Sequence, residues 1–354
     1  MARADHLRRL LDAHYVNTKW WRLAAIIALM VGLYAAAAVG MAFVAGFGAV
    51  QARVNGARWA WLGIAFAGVS VAFLGYFFAY RGVNRTEDGP KLALRPLLAV
   101  VTAGFGGFLA HGGGAIDDFA MRAGGAEERE AKVRVSALAG FEHGALAIIA
   151  CPAAIAAILA GATSPRGDFT WPWAVIPPAG FAIAIAAAEH YRERLQQRGG
   201  WRQKVGILLD SIHIVWTLIR SPKRQGYALV GMLVYWGGDM FALWSATRAF
   251  GVTLSAPDVI IALATGMVLT RRTAPLAGAG LILVALVATL WNAAGVPFAA
   301  ATLGVAGYRA LTLFAPIPFG LAALPELRAL GRRSRTVTQP GATGAGPGEP
   351  ALQG

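Results

Sequence analysis

Apolar runs long enough to cross a bilayer recur along the chain, separated by short polar segments. They predict spanning helices over residues 21–46, 60–80, 136–160, 173–188, 226–249, 259–269, 281–291 and 298–322, the sixth and seventh being short. A run of roughly 18 apolar residues marks a span, and in lipid a helix satisfies its own backbone polar groups. Two further segments break this pattern. The run 97–109 is interrupted by Gly104, Gly106 and Gly107 and closed by His111 and three more glycines. At about 1.5 Å of rise per residue it is too short to cross, so it is expected to enter and leave on one side as a re-entrant segment. Pro275, Gly278 and Gly280 break a second apolar segment just past Arg272. Such breaks predict non-helical backbone lining a cavity at membrane depth. The expected fold is therefore all-α, a polytopic integral membrane helix bundle with about eight spanning helices plus glycine-broken re-entrant segments.

Three stretches fall outside the spans. Residues 1–22 are basic and amphipathic, with Leu7, Leu10, Leu11 and Tyr15 at helical spacing beside Arg8 and Arg9, and are expected to lie on the inner leaflet. Residues 115–135 are charged and helix-prone, which predicts a cytoplasmic helix or elbow; Glu142 then falls about a turn and a half into the third span. Residues 199–223 carry an apolar face of Val205, Leu208, Leu209, Ile212, Val215, Trp216 and Ile219. That helix is expected at the interface or beneath the bundle. Between the first and last of these regions, residues 23–330 are read as one transmembrane domain. The tail 331–354 lacks the apolar content to fold and is expected to be disordered.

Composition sharpens this picture. Of 354 residues 57% are hydrophobic and 14% charged, and mean hydropathy is +0.54. The net charge of +14 suits nucleic acid at first sight, but its placement excludes that reading. With the N-terminus in the cytoplasm, all of the 32 Lys and Arg except Arg53, Arg58, Arg166, Arg248 and Arg309 fall on the cytoplasmic side, as the positive-inside rule requires. Both termini are therefore expected in the cytoplasm. The first apolar run is too long for a signal peptide and is expected to be retained. The one cysteine, Cys151, permits no disulfide within the chain and builds no metal site.

Charged groups inside the bilayer are costly and are kept where they have partners or a task. Arg309, with Tyr308 beside it, lies near the middle of the last span, and Asp239 lies at a matching depth in the fifth. Two readings stand side by side: a charged mid-bilayer site for a polar headgroup, or a structural ion pair fastening two helices. Gly237 and Gly238 allow close backbone approach, of a neighbouring helix before a ligand. No G-x-S-x-G, phosphate loop or H-E-x-x-H occurs, so the chain is not expected to be an enzyme or a primary pump, and no cofactor is expected.

The segments P-L-A-G-A-G (275–280), G-V-P-F-A-A-A (295–301) and G-Y-R-A-L-T-L-F-A-P (307–316) resemble the transmembrane, flippase-like domain of lysylphosphatidylglycerol synthases. G-G-G-A-I-D-D-F-A-M-R-A-G-G (112–125) looks like that family's first re-entrant motif, and F-E-H (141–143) falls where it has an acidic residue in the next helix. The resemblance implies a bundle in the bacterial inner membrane that moves an aminoacylated phospholipid between leaflets. It implies that Pro275, Gly278 and Gly280 are the second re-entrant motif, Arg309 the site arginine, and Asp117 and Arg122 the first motif's charged pair; together with Asp239, Tyr308, Glu142 and Arg272 these are the candidate substrate-binding residues. Where many members carry a glutamate after the glycines, this chain reads Leu281, Ile282, Leu283, so a cationic headgroup is not implied. The soluble synthase domain is absent from this sequence. Expected partners are a membrane phospholipid, a second copy of the chain and a separate synthase or envelope enzyme; no nucleic acid is expected. The alternative reading is a membrane scaffold or accessory subunit for a lipid- or envelope-modifying enzyme.

Overall fold

A computed structural model describes residues 19–86, 89–90, 92–105, 113–196, 200–268 and 275–337. Among them the secondary structure is helical, with no strand. The helices are α1 (Trp20–Ala45), α2 (Phe47–Asn55), α3 (Ala60–Arg85), α4 (Leu94–Phe105), α5 (Gly113–Ala123), α6 (Glu128–Leu159), α7 (Gly167–Gln196), α8 (Trp201–Arg220), α9 (Pro222–Ala249), α10 (Ala256–Val268), α11 (Pro275–Ala294), α12 (Phe298–Phe314) and α13 (Pro316–Val337). Among the described residues five stretches are long and apolar enough to cross a bilayer: Trp20–Ala45, Ala60–Arg85, Glu128–Leu159, Gly167–Leu195 and Phe298–Arg332, the last shared by α12 and α13. The protein is an all-α membrane helix bundle. α9 is equally long, at 28 residues, but less apolar, which suits its place at the centre of the bundle among other helices.

The chain alternates between two ends. At one end, a side chain on Gly124, just after α5, would meet Pro90 at 3.1 Å and Leu92 at 3.2 Å, just before α4. The start of α4 and the end of α5 are therefore neighbours. Their 12 and 11 residues correspond to about 18 and 16 Å, well short of a ~30 Å core, so this pair is a re-entrant hairpin. At the other end, the Arg166 amide donates to Ala293 O (2.8 Å) and the Ser164 hydroxyl donates to Asp258. This brings the start of α10 and the end of α11 together. α10 has 13 residues and cannot cross alone, so the expected sixth span becomes the short arm of a second hairpin that enters from the opposite end.

Other boundaries differ from expectation. The charged stretch 115–135 is not one element: α5 ends at Ala123, Gly125 turns the chain with φ 101°, and α6 begins at Glu128 and continues unbroken to Leu159. The last span breaks at Ala315, where Pro316 opens α13, and α13 packs chiefly on α4. α13 continues to Val337, so residues 331–337 are helical rather than part of a disordered tail. The expected inner-leaflet segment 1–18 and the tail 338–354 lie outside the described residues, as do Arg272 and His111. α2, a short helix at the end away from the basic loops, was not signalled by hydropathy.

The most extensive helix pair is α3 with α9, and small residues cause it. Along α3, Ala65, Gly68, Ala72, Gly75, Ala79 and Gly82 alternate steps of three and four; along α9, Ala228, Gly231, Tyr235, Gly238 and Ala242 do the same. That is the left-handed, seven-residue period of two helices wrapping each other. A Cβ on Gly68 would stand 2.9 Å from Gly238 O, one on Gly231 would stand 2.7 Å from Gly75 O, and one on Gly75 would collide with the Tyr235 amide. The backbones touch, as membrane helices do where small residues line the seam. Of the two adjacent glycines, Gly238 lies in the seam and Gly237 does not.

α8 packs beneath α6 and α7 through Leu209, Ile214 and Leu218, and Ser211 donates to Val133 O at 2.9 Å. The Arg129–Asp210 ion pair fastens α8 to α6. Cys151 is half-buried and directs its thiol at Ala174 O.

Candidate functional site

The α3–α9 seam fixes the rotation of α9, so the residues next to the seam point at other helices. Asp239 turns toward α12. There the Tyr308 hydroxyl donates to Asp239 Oδ2 at 2.7 Å. Tyr308 is fully enclosed, and Asp239 is 5% exposed. Close approach of α9 and α12 permits this bond: a Cβ on Gly304 would stand 2.8 Å from Thr247 Cα.

Arg309, 7% exposed, does not face the acyl chains. Its Nη1 donates to Thr312 Oγ1 (3.1 Å), one turn further along α12, and its charge acts on both Asp239 and Tyr34 of α1. The Tyr34 hydroxyl donates to Ala306 O at 2.7 Å, and its ring meets Phe314 edge-on. α1, α9 and α12 thus surround one guanidinium and one carboxylate deep in the apolar part of the bundle.

Glu142 joins this group from α6. It is buried, not at the interface, because α6 starts well before the apolar stretch and carries Glu142 into the bundle. Tyr235 donates to Glu142 Oε1 (3.2 Å), and Trp236 Nε1 donates to Glu142 O (2.7 Å). The Glu142 charge also acts on Asp239. Sequence reasoning missed Tyr235 and Trp236; they stand four and three residues before Asp239, on the same helix, and carry the only polar side-chain atoms of that turn that reach α6 among the described residues.

A second polar group lies toward the basic end. The ring of Tyr235 meets Tyr76 at 5.3 Å, and Tyr76 is followed by Tyr80 at 6.4 Å on α3. Asp117 of α5 is buried and acts electrostatically on Tyr80, with Asn84 a turn away. Carboxylates, tyrosines and Asn84 therefore form an uneven polar line from Asp239 through Glu142 to the first hairpin.

The expected pairing of Asp117 with Arg122 is corrected: Arg122 Nε bonds Asp118 Oδ2 at 3.0 Å, because residues four apart share a helix face and residues five apart do not. In the second broken segment, Pro275, Gly278 and Gly280 belong to helix α11, with Pro275 as its first residue, a place where a missing amide costs nothing. These three are therefore not irregular backbone. A side chain on Gly280 would meet Leu33 O and Ala37 at 3.4 Å, so Gly280 seats α11 on α1. The interruption itself, residues 269–274 with Arg272, lies outside the described residues. No family model matches the chain, and no curated protein matches it.

Proposed function

We propose that the protein is a flippase-like lipid transporter of the bacterial inner membrane, of the kind its resemblance to the lysylphosphatidylglycerol synthase membrane domain implies, with both termini in the cytoplasm. The observation that carries this reading is the enclosure of Arg309 and Asp239 between α1, α9 and α12, with the short helices α4 and α5 at one end and the short helix α10 at the other. Half-crossing segments of opposite entry around a buried charged centre suit alternating access, in which one half of a bundle rocks against the other. Arg309 is the headgroup residue, since a planar guanidinium matches phosphate oxygens. The substrate class is a phospholipid, aminoacylated or not.

The test is movement of a headgroup-labelled phospholipid in vesicles. Purified protein is expected to accelerate it, and Arg309→Ala is expected to abolish the acceleration while melting cooperatively. Wild-type rates equal to those of empty vesicles, for anionic and zwitterionic lipids alike, would overturn the reading.

One observation favours a scaffold instead: the Asp239 carboxylate is already held by Tyr308, as a helix-fastening group would be. In that case the exchange Asp239→Arg/Arg309→Asp restores the function of either single variant. A ligand site stays inactive when its charges are swapped.

A further inference from the structure

Three of the arginines outside the basic loops converge at the opposite end of the bundle. The Arg58 amide, just before α3, donates to Ala249 O at 2.8 Å. Arg53 Nη1, from α2, donates to Phe250 O at 3.3 Å, and a side chain on Gly251 would lie 3.4 Å from the same nitrogen. The Arg248 guanidinium, in the last turn of α9, stands 4.9 Å from the ring centroids of both Trp61 and Trp244. The Arg53 side chain and the Arg58 backbone thus both meet the segment that follows Arg248.

Among the described residues no carboxylate pairs with any of them. The contrast is Arg166 at the same end, which has Asp168 at 3.2 Å. The C-terminus of α9 supplies part of the missing negative charge, but a helix end amounts to only about half an elementary charge. Against the guanidinium groups of Arg53 and Arg248, with the exposed Arg58 beside them in sequence, that leaves an excess of positive charge.

The surroundings say which anion. Trp59, Trp61, Trp244 and Phe250 ring the patch, with Trp59 meeting Phe250 edge-on and exposed on its other side. Indole rings collect at the level of lipid headgroups, where one edge is wet and the other apolar. Exposed Phe43, Val44 and Phe47 continue the surface along α1 and α2 as a place for acyl chains. The patch also touches the buried centre: a side chain on Gly307, two residues before Arg309, would meet Leu62 at 3.1 Å and Phe250 at 3.7 Å.

We propose that Arg53, Arg58 and Arg248 form a phosphate-binding site for an anionic phospholipid in the leaflet away from the basic loops. Arg248 stands against two indoles set edge-to-face and offers its free nitrogens to the phosphate, with Arg53 beside it and the exposed Arg58 as the third cation. The site goes beyond the transport reading, since it binds lipid whether or not lipid crosses.

The test uses the full chain in nanodiscs of phosphatidylcholine with increasing phosphatidylglycerol, following lipid selectivity with spin-labelled lipids. Wild type is expected to prefer phosphatidylglycerol. Selectivity should fall about fivefold for each arginine removed in the series Arg248→Gln, Arg53→Gln/Arg248→Gln and the triple variant with Arg58→Gln. Arg166→Gln should leave it unchanged, and Arg248→Lys should lose part of it through the poorer match of ammonium to phosphate. Cooperative melting of each variant in detergent confirms that it is folded. Equal selectivity in wild type and triple variant would overturn the proposal. So would inorganic phosphate at millimolar concentration displacing the labelled lipid as well as phosphatidylglycerol does, which would make this a site for free phosphate. Because the readout is binding, its failure is separate from any failure of lipid movement.

Discussion

The Tyr308 hydroxyl and the Asp239 carboxylate, 2.7 Å apart, join α12 to α9 in the interior of the bundle. Both groups are enclosed, so each depends on the other for a hydrogen bond that water would otherwise provide. Tyr308→Phe keeps the ring and removes the donor. A buried acceptor left without its donor costs about 1–3 kcal/mol, and that loss is expected in the unfolding free energy of the purified protein. A double cycle with Asp239→Asn should show coupling of the same order. Additive effects would mean that the two side chains do not depend on each other.

Five of the eight expected spans return as long apolar helices, because hydropathy is a property of each segment alone. The short helix α4 was legible for the same reason, since glycines and length ruled out a crossing, whereas its partner α5 lies in the stretch expected to be a cytoplasmic helix or elbow. What hydropathy does not encode is rotation about a helix axis. Asp239 and Arg309 match in depth, which left a headgroup site and a structural ion pair both open, and it is Tyr308, a neighbour of Arg309 about 100° round the helix, that bonds the carboxylate. The charged motif failed similarly, since Asp118 rather than Asp117 shares a face with Arg122. The signal that would have fixed the rotation was present in the three-and-four alternation of small residues over 65–82 and, with Tyr235 among them, over 228–242. Those positions define the α3–α9 seam and so decide where Tyr235, Trp236 and Asp239 point.

The seam gives a test of its own. Gly75 faces the Tyr235 amide and Gly231 O with no room for a side chain. Gly75→Val must push the two backbones apart, and overpacking of this kind costs about 1–3 kcal/mol or more. Gly63 is on the same helix with nothing within 4 Å of its would-be Cβ, so Gly63→Ala should leave the melting temperature nearly unchanged. Equal effects at the two sites would contradict the close approach.

At the basic end, Arg134 is buried and holds the end of α3. Its Nη1 donates to Val83 O (3.0 Å) and Thr86 O (2.9 Å), and its Nε donates to Glu130. Removing it takes a second, charged donor from two carbonyls that otherwise accept only the Thr86 and Gly89 amides. Arg134→Leu is expected to destabilise by about 1–3 kcal/mol, with Arg134→Lys intermediate because one ammonium reaches fewer acceptors. Gly89→Ala should mimic the loss, since its Cβ would occupy the space of the guanidinium. Thermal melts of the three variants check the order.

The two hairpins make a prediction about sidedness that needs no transport assay. Cys151, half-buried, is the only thiol in the chain, so Cys151→Ala provides a background for single cysteines. In it, cysteines at the exposed positions Leu94 and Glu127 flank α4–α5, and those at Thr253 and Asn292 flank α10–α11. If each hairpin returns to the end it left, the first two sites react with a membrane-impermeant maleimide from one side only. The second two then react from the other side only. With the basic loops in the cytoplasm, whole cells should label Thr253→Cys and Asn292→Cys, while Leu94→Cys and Glu127→Cys should label only after permeabilisation. Opposite labelling of the two members of either pair would mean that the segment crosses the membrane an odd number of times, and with that the arrangement of half-crossing helices around Arg309 would fail.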